Sequence, residues 1–404
     1  MLVAEAAEVA AISEAISGAS LAAFDLEFLT ADRLVPTLCV VQVSWLSEPL
    51  DAPVDAIVAA RPEVRVIDAL HVDARPVFEA LAGHPRTVVH AARQDLAIIG
   101  RSGIAMPKVI DTQVMAAFAG LGDQVGLGAL TTELLGFPLA KEQQWTDWAK
   151  RPLTEAQLAY AVADVRHLHA IYAKLAAKLG ERMTWALAES AVVAADALAA
   201  ATLAPEDAWR SIGGLRGLDP LAFAAVRELA AWRFRVATEL DKPLGWVLTE
   251  KLILDLARQR PRDPDKVHAM KGLPQPARQR VEEILAVIAN AKPSAESPIV
   301  SKGMSARAQR WSELLIAIVQ LASEQTGVTS RLLATRSDAE EFARVVDEQG
   351  IEAARALPAL ATWRRDIIGK LWEGWLTGSL GIVGDPGHSA GIRLVETQRA
   401  PFIA

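Results

Sequence analysis

At 404 residues the chain has room for roughly two to four domains of ordinary size. Its 51% hydrophobic and 23% charged residues sit near the averages of soluble globular proteins and argue against disorder. A net charge of −7 argues against a broad basic surface for nucleic acid, and a single cysteine, Cys39, excludes an intramolecular disulfide and fits a reducing cytoplasm.

The first residues, MLVAEAAEVA, lack a basic region and carry Glu5 and Glu8, so no signal peptide is expected. Leu21–Phe28 (LAAFDLEF) reads as a strand whose end alternates apolar and acidic residues. Thr37–Ser44 (TLCVVQVS) reads as its neighbour, with Cys39 as a buried structural thiol. Leu46–Pro62, with three prolines, looks like an inserted loop holding a short helix, followed by a third strand at Val64–Ile67. A helix at Arg75–Leu81, a strand at Thr87–His90, a helix at Gln94–Arg101 and a strand at Val109–Thr112 follow, then a helix through Ala119. The alternation predicts an α/β domain with a mixed sheet over residues 1–180.

Beyond about residue 181 the strand patterns vanish. Ala186–Ala204 is the most apolar stretch, but Glu189 and Asp196 mark it as an Ala-rich helix and no membrane span is expected; Ala also accounts for the mean hydropathy of +0.21. Pro205, Gly213, Gly214 and Gly217 precede a long helical pattern, Pro220–Leu240. Turn-rich intervals at Asp241–Gly245, Arg260–Asp265 and Gly272–Pro276 separate further helices. Ala291–Gly303 reads as a linker, a last helical block runs to about Leu380, and the Gly-rich tail after Gly381 is expected to be loosely held. Two helical modules, 205–290 and 300–380, are therefore expected.

Charge is unevenly divided. Residues 1–180 hold 14 Lys/Arg against 21 Asp/Glu, residues 181–404 hold 28 of each, and residues 205–290 hold 14 against 12. A polynucleotide would have to be held by local basic patches, by metal ions, or by both.

Four acids stand out, each with an ordinary explanation beside a chemical one. Asp25 and Glu27 are two apart on a strand and share one face; alone they could be its wet side, but a central strand of an α/β domain is covered on both faces. Asp95 opens a helix, where the macrodipole favours an acid. Tyr160 and Asp164 are four apart on a helix and share a face. Together they offer hard oxygen ligands, which suit divalent ions such as Mg²⁺. Two such ions can stabilise the attacking and leaving oxygens of a displacement at phosphorus.

The order Asp25-x-Glu27, Asp95, Tyr160-x₃-Asp164 resembles the tyrosine-type DEDD exonucleases. The segments FDLEFLTADRLVPTLCVVQVS, VVHAARQDLAII, VIDTQVMAAF and TDWAKRPLTEAQLAYAVADVRHL resemble the ribonuclease D family in that family's order. The resemblance implies a ribonuclease H-like exonuclease domain and hydrolysis of RNA from its 3′ end with two Mg²⁺, or Mn²⁺. It implies that Asp25 is shared by both metals, that Glu27 and Asp164 complete one site, and that Asp95 acts on the second largely through water. Tyr160 is similar to the residue that aligns the attacking water. Phe28 and His90 are candidate substrate contacts, though packing explains His90 equally well. Lys141, Asp147, Trp148 and Arg151 fall in a recurring loop that either touches substrate or is merely held by its Trp. Asp111 and Thr112 match a recurring pair read as structural. Leu26 replaces the family's usual Thr, and Leu46–Pro62 is an insertion.

Residues 205–290 resemble the helicase-and-RNase-D C-terminal (HRDC) module, on residues such as Leu229, Trp232, Arg233, Asp241, Pro243, Leu256 and Gly272. Either this is a packed spacer, or Arg227, Arg233, Arg235, Lys242, Lys251, Arg258, Arg260, Arg262, Lys266 and Lys271 form a patch that grips nucleic acid. Residues 304–380 resemble a diverged second copy through Leu314, Leu332, Leu333, Phe342 and Trp363. The implied substrate is precursor tRNA with a 3′ extension, and a monomer without a protein partner is expected. A 3′→5′ DNA exonuclease and a non-catalytic RNA-binding protein are the alternatives. No Gly-x₄-Gly-Lys-[Ser/Thr] motif points to a helicase.

Overall fold

The computed structural model describes residues 2–30, 32–139, 146–215, 217–293 and 304–397. The first domain is a six-stranded mixed sheet wrapped by helices. In chain order it runs β1 (Leu2–Val3), α1 (Ala6–Ser17), β2 (Leu21–Leu29), β3 (Thr37–Leu46), α2 (Val54–Ala59), β4 (Glu63–Asp68) and α3 (Arg75–Gly83). It continues through β5 (Thr87–Val89), α4 (Arg93–Arg101), β6 (Val109–Asp111), α5 (Thr112–Phe118), α6 (Leu127–Leu135), α7 (Glu155–Arg166), α8 (Leu168–Leu179) and α9 (Met183–Ala201). The sheet order is β1-β4-β3-β2-β5-β6. β2 pairs antiparallel with β3 and parallel with β5, which makes it an inner strand. Leu21–Phe24 are accordingly wholly buried, and the acids follow where the strand emerges toward the cleft. A register shift between Glu27 and Phe28 bends the strand just past the second acid.

The predicted strands and helices of this domain are present, with ends displaced by a residue or two, and the 46–62 insertion carries α2. β1 and α1 went unread because MLVAEAAEVA is short and Ala-rich. The continuous run Glu155–Ala201 is long and apolar enough, by composition, to cross a membrane. In the fold it is three helices, interrupted at His167 and Gly180, and its polar residues bond across to other elements.

The helical pattern expected after residue 205 becomes α10 (Pro220–Leu240), α11 (Leu244–Val247), α12 (Glu250–Gln259), α13 (Pro264–His268), α14 (Gln275–Arg278) and α15 (Val281–Asn290). Asp241 and Arg260 end α10 and α12 in left-handed backbone, at φ 47° and 45°. This module buries its own apolar core around Val226, Leu229, Trp232, Leu256 and Ile284. Most of the predicted linker, residues 294–303, lies outside the described residues.

The last block repeats the start of that succession. A 21-residue helix, α16 (Ala306–Thr326), is followed by a four-residue one, α17 (Ser330–Leu333), as α10 is by α11. Then come α18 (Arg336–Gln349), α19 (Ile351–Ala354) and α20 (Lys370–Leu376). Its core is continuous with that of the first domain: Ile318, Phe342, Trp363 and Trp372 belong with Met115, Phe118 and Ile171. Trp363 meets Phe118 edge-on at 4.8 Å and stacks on Trp185 at 5.9 Å. Glycine is required at this seam, because a Cβ on Gly120 would stand 2.9 Å from the carbonyl oxygen of Gly327.

One expectation is overturned. Residues 380–397 are not loose: β7 (Leu380–Gly384) and β8 (Ile392–Glu396) form an antiparallel hairpin, packed on α20 and α16; the rest of the tail lies outside the described residues. Strands therefore do not vanish after residue 181.

Candidate active site

β2, α4 and α7 converge on a cleft of about 720 Å³ lined by Asp25, Glu27, Asp95, Tyr160 and Asp164. The strand supplies Asp25 and Glu27 on one face. α7 is fixed against the sheet from its start: Thr154 and Gln157 form a reciprocal capping box, and Ser44 of β3 donates to the Val165 carbonyl at 2.9 Å. Its Tyr160 and Asp164 thereby face the strand acids. Asp25, Glu27 and Asp164 each offer an oxygen within 4.8 Å of the others. Asp95, buried on the first turn of α4, stands near Asp25 but outside that trio.

The cluster is electrostatically strained. Burial raises Asp25 to about 7, partly countered by the Leu26 backbone N–H. Burial, then the charges of Asp25, Asp164 and Asp95, raise Glu27 to about 9. Burial and Asp25 raise Asp164 to about 8, against a hydrogen bond from Tyr160. Asp95 is pushed well up by burial, Asp25 and Asp111. Among the described residues no cation contributes to any of these shifts. Crowded carboxylates without a counter-charge could hold a divalent cation, which would relieve their repulsion. Burial and the same acids also raise Tyr160, which keeps its phenol neutral and a hydrogen-bond donor.

The turn at residues 90–92 aims α4, and the Asp111–Thr112 pair holds it. Asp111 accepts backbone N–H bonds from Ala91 (2.9 Å), Ala92 (3.3 Å) and Gln113 (2.8 Å). Thr112 Oγ1 donates to the Val89 carbonyl and lies 2.9 Å from His90 Nδ1. Ala91 sits at φ 56°, a left-handed conformation strained for a residue with a Cβ. The turn is therefore over-determined beside the cleft. His90 lines that cleft, and burial lowers its pKa and favours the neutral ring.

Phe28 and Trp148 also line the cleft. Trp148 is buried, with its ring 6.1 Å from that of Tyr160, so it backs the tyrosine. Arg151 is a correction. Its Nε and Nη2 grip Asp68 at 2.7 Å, Nη2 also reaches the Cys39 carbonyl, and Nη1 donates to the carbonyls of Trp148 and Lys150. With all five N–H groups engaged it is a strut between β3, β4 and the 146–153 loop, not a substrate contact. Asp147 braces the same loop, accepting from the Ala149 N–H and the Gln157 amide. Lys141 lies outside the described residues.

Gln94, Gln113 and the start of α6 at residues 126–128 also line the cleft, and nothing in their local sequence marks them. Gln42 was missed, although a polar residue inside LCVVQV was a signal for it; it pairs directly opposite Asp25 and is wholly buried.

Comparison with known proteins agrees with this geometry. Residues 2–180 match a family model described as a 3′-5′ exonuclease, and residues 222–288 match the HRDC domain. Ribonuclease D of Nitrobacter hamburgensis is 30% identical over 410 residues, covering 99% of this chain and 100% of its own. Ribonuclease D of Acidiphilium cryptum is 32% identical over 372 residues, covering 89% and 88%. The fold is similar to the crystal structure of Escherichia coli RNase D, described as an exoribonuclease involved in structured RNA processing. That match has a TM-score of 0.78 at 24% identity and covers 94% of this chain and 98% of the other. With the full-length likeness and the carboxylate cleft both in place, the chain belongs to the ribonuclease D family of 3′-5′ exoribonucleases.

Proposed function

We propose that this protein shortens RNA from its 3′ end, releasing nucleoside 5′-monophosphates one at a time, with precursor tRNAs bearing 3′ extensions as substrates. The observation that carries the reading is the trio Asp25, Glu27 and Asp164, three oxygens within 4.8 Å in a cleft where burial and mutual repulsion oppose their ionisation. Those three, with Asp95 completing the set, would hold two Mg²⁺ or Mn²⁺ ions. Bound there, the ions would supply charge neutralisation for the attacking and leaving oxygens of the displacement. Water attacks the terminal phosphorus, the bond to the penultimate 3′ oxygen breaks, and that oxygen takes up a proton. Tyr160, held neutral, gives its single O–H to Asp164 and leaves its phenol oxygen to accept a hydrogen bond from the incoming water, which orients it. Phe28 and His90 form the walls against which the terminal nucleotide rests. The reducing cytoplasm suits the single buried Cys39, and a monomer is the proposed state.

Purified protein is incubated with a 3′-extended tRNA or a matching single-stranded DNA, in Mg²⁺ or in EDTA. RNA shortening in Mg²⁺, lost in EDTA and in Asp164→Ala, is the expected result. Shortening that persists in EDTA or in the variant would sink the metal assignment, and a preference for DNA would move the substrate.

A further inference from the structure

Beside the cleft acids lies a polar side chain that the architecture does not use. Gln42 of β3 is wholly buried, and among the described residues neither its amide nitrogen nor its side-chain oxygen has a hydrogen-bond partner. A buried amide left unpaired is costly, and such groups are rare in folded chains. Its surroundings show where a partner can be found. On β4 the residue opposite Gln42 is Val66, and along its own strand the same face carries Val40 and Ser44. Ala161 of α7 clusters with Val40 and Val66, which closes that side with apolar atoms. Ser44 gives its hydroxyl hydrogen to the Val165 carbonyl.

The remaining neighbour in the row is Asp25. β2 and β3 pair antiparallel with Gln42 directly opposite Asp25, ahead of the register shift. The two side chains therefore leave the sheet on one face, with their Cβ atoms about 5 Å apart. Asp25 takes the Leu26 backbone N–H, and a carboxylate with about four acceptor sites has room for an amide and an ion besides. A neutral donor suits this position. A Lys or Arg here would neutralise the acid and repel an incoming cation. An amide fixes the orientation of a carboxylate and leaves its charge for the ion.

We infer that Gln42 is a positioning residue for the metal site: its amide nitrogen donates to the Asp25 carboxylate and holds it turned toward a bound divalent ion. The inference deepens the proposed function and rests on its reading of the acids as metal ligands. In this role Gln42 touches neither the ion nor RNA, and it acts through Asp25. Without the ion its amide is idle, so its contribution is confined to the loaded site. A residue kept only for packing would do better as an apolar side chain of the same length. Such a replacement removes an unpaired polar group and loses no hydrogen bond.

The full-length protein, stripped of metal by chelator, is titrated with Mn²⁺ while electron paramagnetic resonance follows the free ion. Its melting temperature is taken separately in EDTA. Gln42→Met keeps the length of the side chain and removes the amide. It is expected to melt no lower than the wild type in EDTA, and yet to bind Mn²⁺ about tenfold more weakly. Val66→Ala loosens the packing on the other side of Gln42 and serves as the control. It is expected to melt lower and to keep the wild-type affinity for Mn²⁺. A Gln42→Met protein with wild-type Mn²⁺ affinity would overturn the inference. So would one that melts well below the wild type in EDTA, since the amide would then belong to the metal-free fold. A Val66→Ala protein that loses as much affinity as Gln42→Met would overturn it too, by reducing the effect to packing. Wild-type protein that takes up no Mn²⁺ is a distinct outcome, which overturns the metal reading itself and this inference with it.

Discussion

The strain among the active-site carboxylates predicts that neutralising one of them stabilises the metal-free protein. Asp25 moves from 3.8 to about 7 on folding, chiefly through burial. A shift of about 3 units at about 1.4 kcal/mol per unit opposes the folded, ionised form by about 4 kcal/mol. Water in the open cleft screens part of this, leaving about 2 kcal/mol. The sign follows from the raised pKa. Below the unfolded value the carboxyl is protonated in both states and costs nothing; above about 7 the full opposition is present. Glu27 and Asp164, raised to about 9 and about 8, extend the window upward. In EDTA the wild-type melting temperature should therefore fall as pH rises from about 5 to 9. Asp25→Asn should melt a few degrees higher than wild type at pH 8. Mg²⁺ should raise the wild-type melting point more at pH 9 than at pH 6, because binding there displaces fewer protons, and should leave the variant almost unmoved. Differential scanning fluorimetry across pH, with and without Mg²⁺, reads all three. An Asn variant no more stable than wild type at pH 8 in EDTA would refute the claim of strain.

Other contacts yield sharper tests of individual roles. Arg151→Ala should cost about 2–3 kcal/mol in urea denaturation, because it leaves Asp68, whose side chain is 4% exposed, with only His71 and the Leu70 N–H; Arg151→Lys should not rescue it, since a point charge cannot make the two-pronged grip. Asp111→Ala removes the acceptor of three backbone N–H groups and should cost on the order of 3 kcal/mol. Because the released turn aims Asp95, its kcat on RNA should fall more than its KM rises. Arg364→Met leaves buried Glu189 without its 2.8 Å partner and should destabilise by about 3 kcal/mol. The double variant with Glu189→Met should recover much of that, as a double-mutant cycle by denaturation would measure.

What the sequence made legible was what depends on spacing. Two-residue and four-residue intervals put Asp25 with Glu27 and Tyr160 with Asp164 on shared faces, and β2 and α7 deliver those faces to one cleft. The approach of strand to helix was not legible, since it depends on Ser44 reaching Val165 across 121 residues. Arg151 shows the limit most clearly. In a loop near catalytic residues it reads as a substrate contact, and only the positions of Asp68, Cys39 and Trp148 reveal that its donors are taken. The β7–β8 hairpin was hidden by its glycines at 381, 384 and 387, which mimic a loose tail. The alternation in Ile392–Glu396 was the signal available, and a single short strand has no visible partner until the fold supplies one.

The two helical blocks begin alike but stand in different physical relations to the catalytic domain. The last one is part of it: Trp363 lies between Phe118 and Trp185, and Arg364 reaches Glu189 on α9. The next residue of that helix, Ser190, accepts the Asp111 N–H at 3.1 Å, and Asp111 in turn holds the turn before Asp95. A continuous set of contacts thus runs from the C-terminal block to the acids of the cleft, so this block supports the geometry of the cleft. The matched HRDC module instead closes its own core and meets the first domain through Leu34 and the bonds of Asp241 to Arg33 and Val35. The Arg33–Asp241 pair is half-exposed, at 54% and 40%, and contributes little to stability. A module with its own core and a thin seam can change its exposed residues without disturbing the cleft. The net charges divide the same way, at 14 basic against 21 acidic residues in 1–180 and 14 against 12 in 205–290. The net acidity of the first domain opposes a polyanion at long range, whereas the HRDC module carries a small basic excess and adds no such opposition.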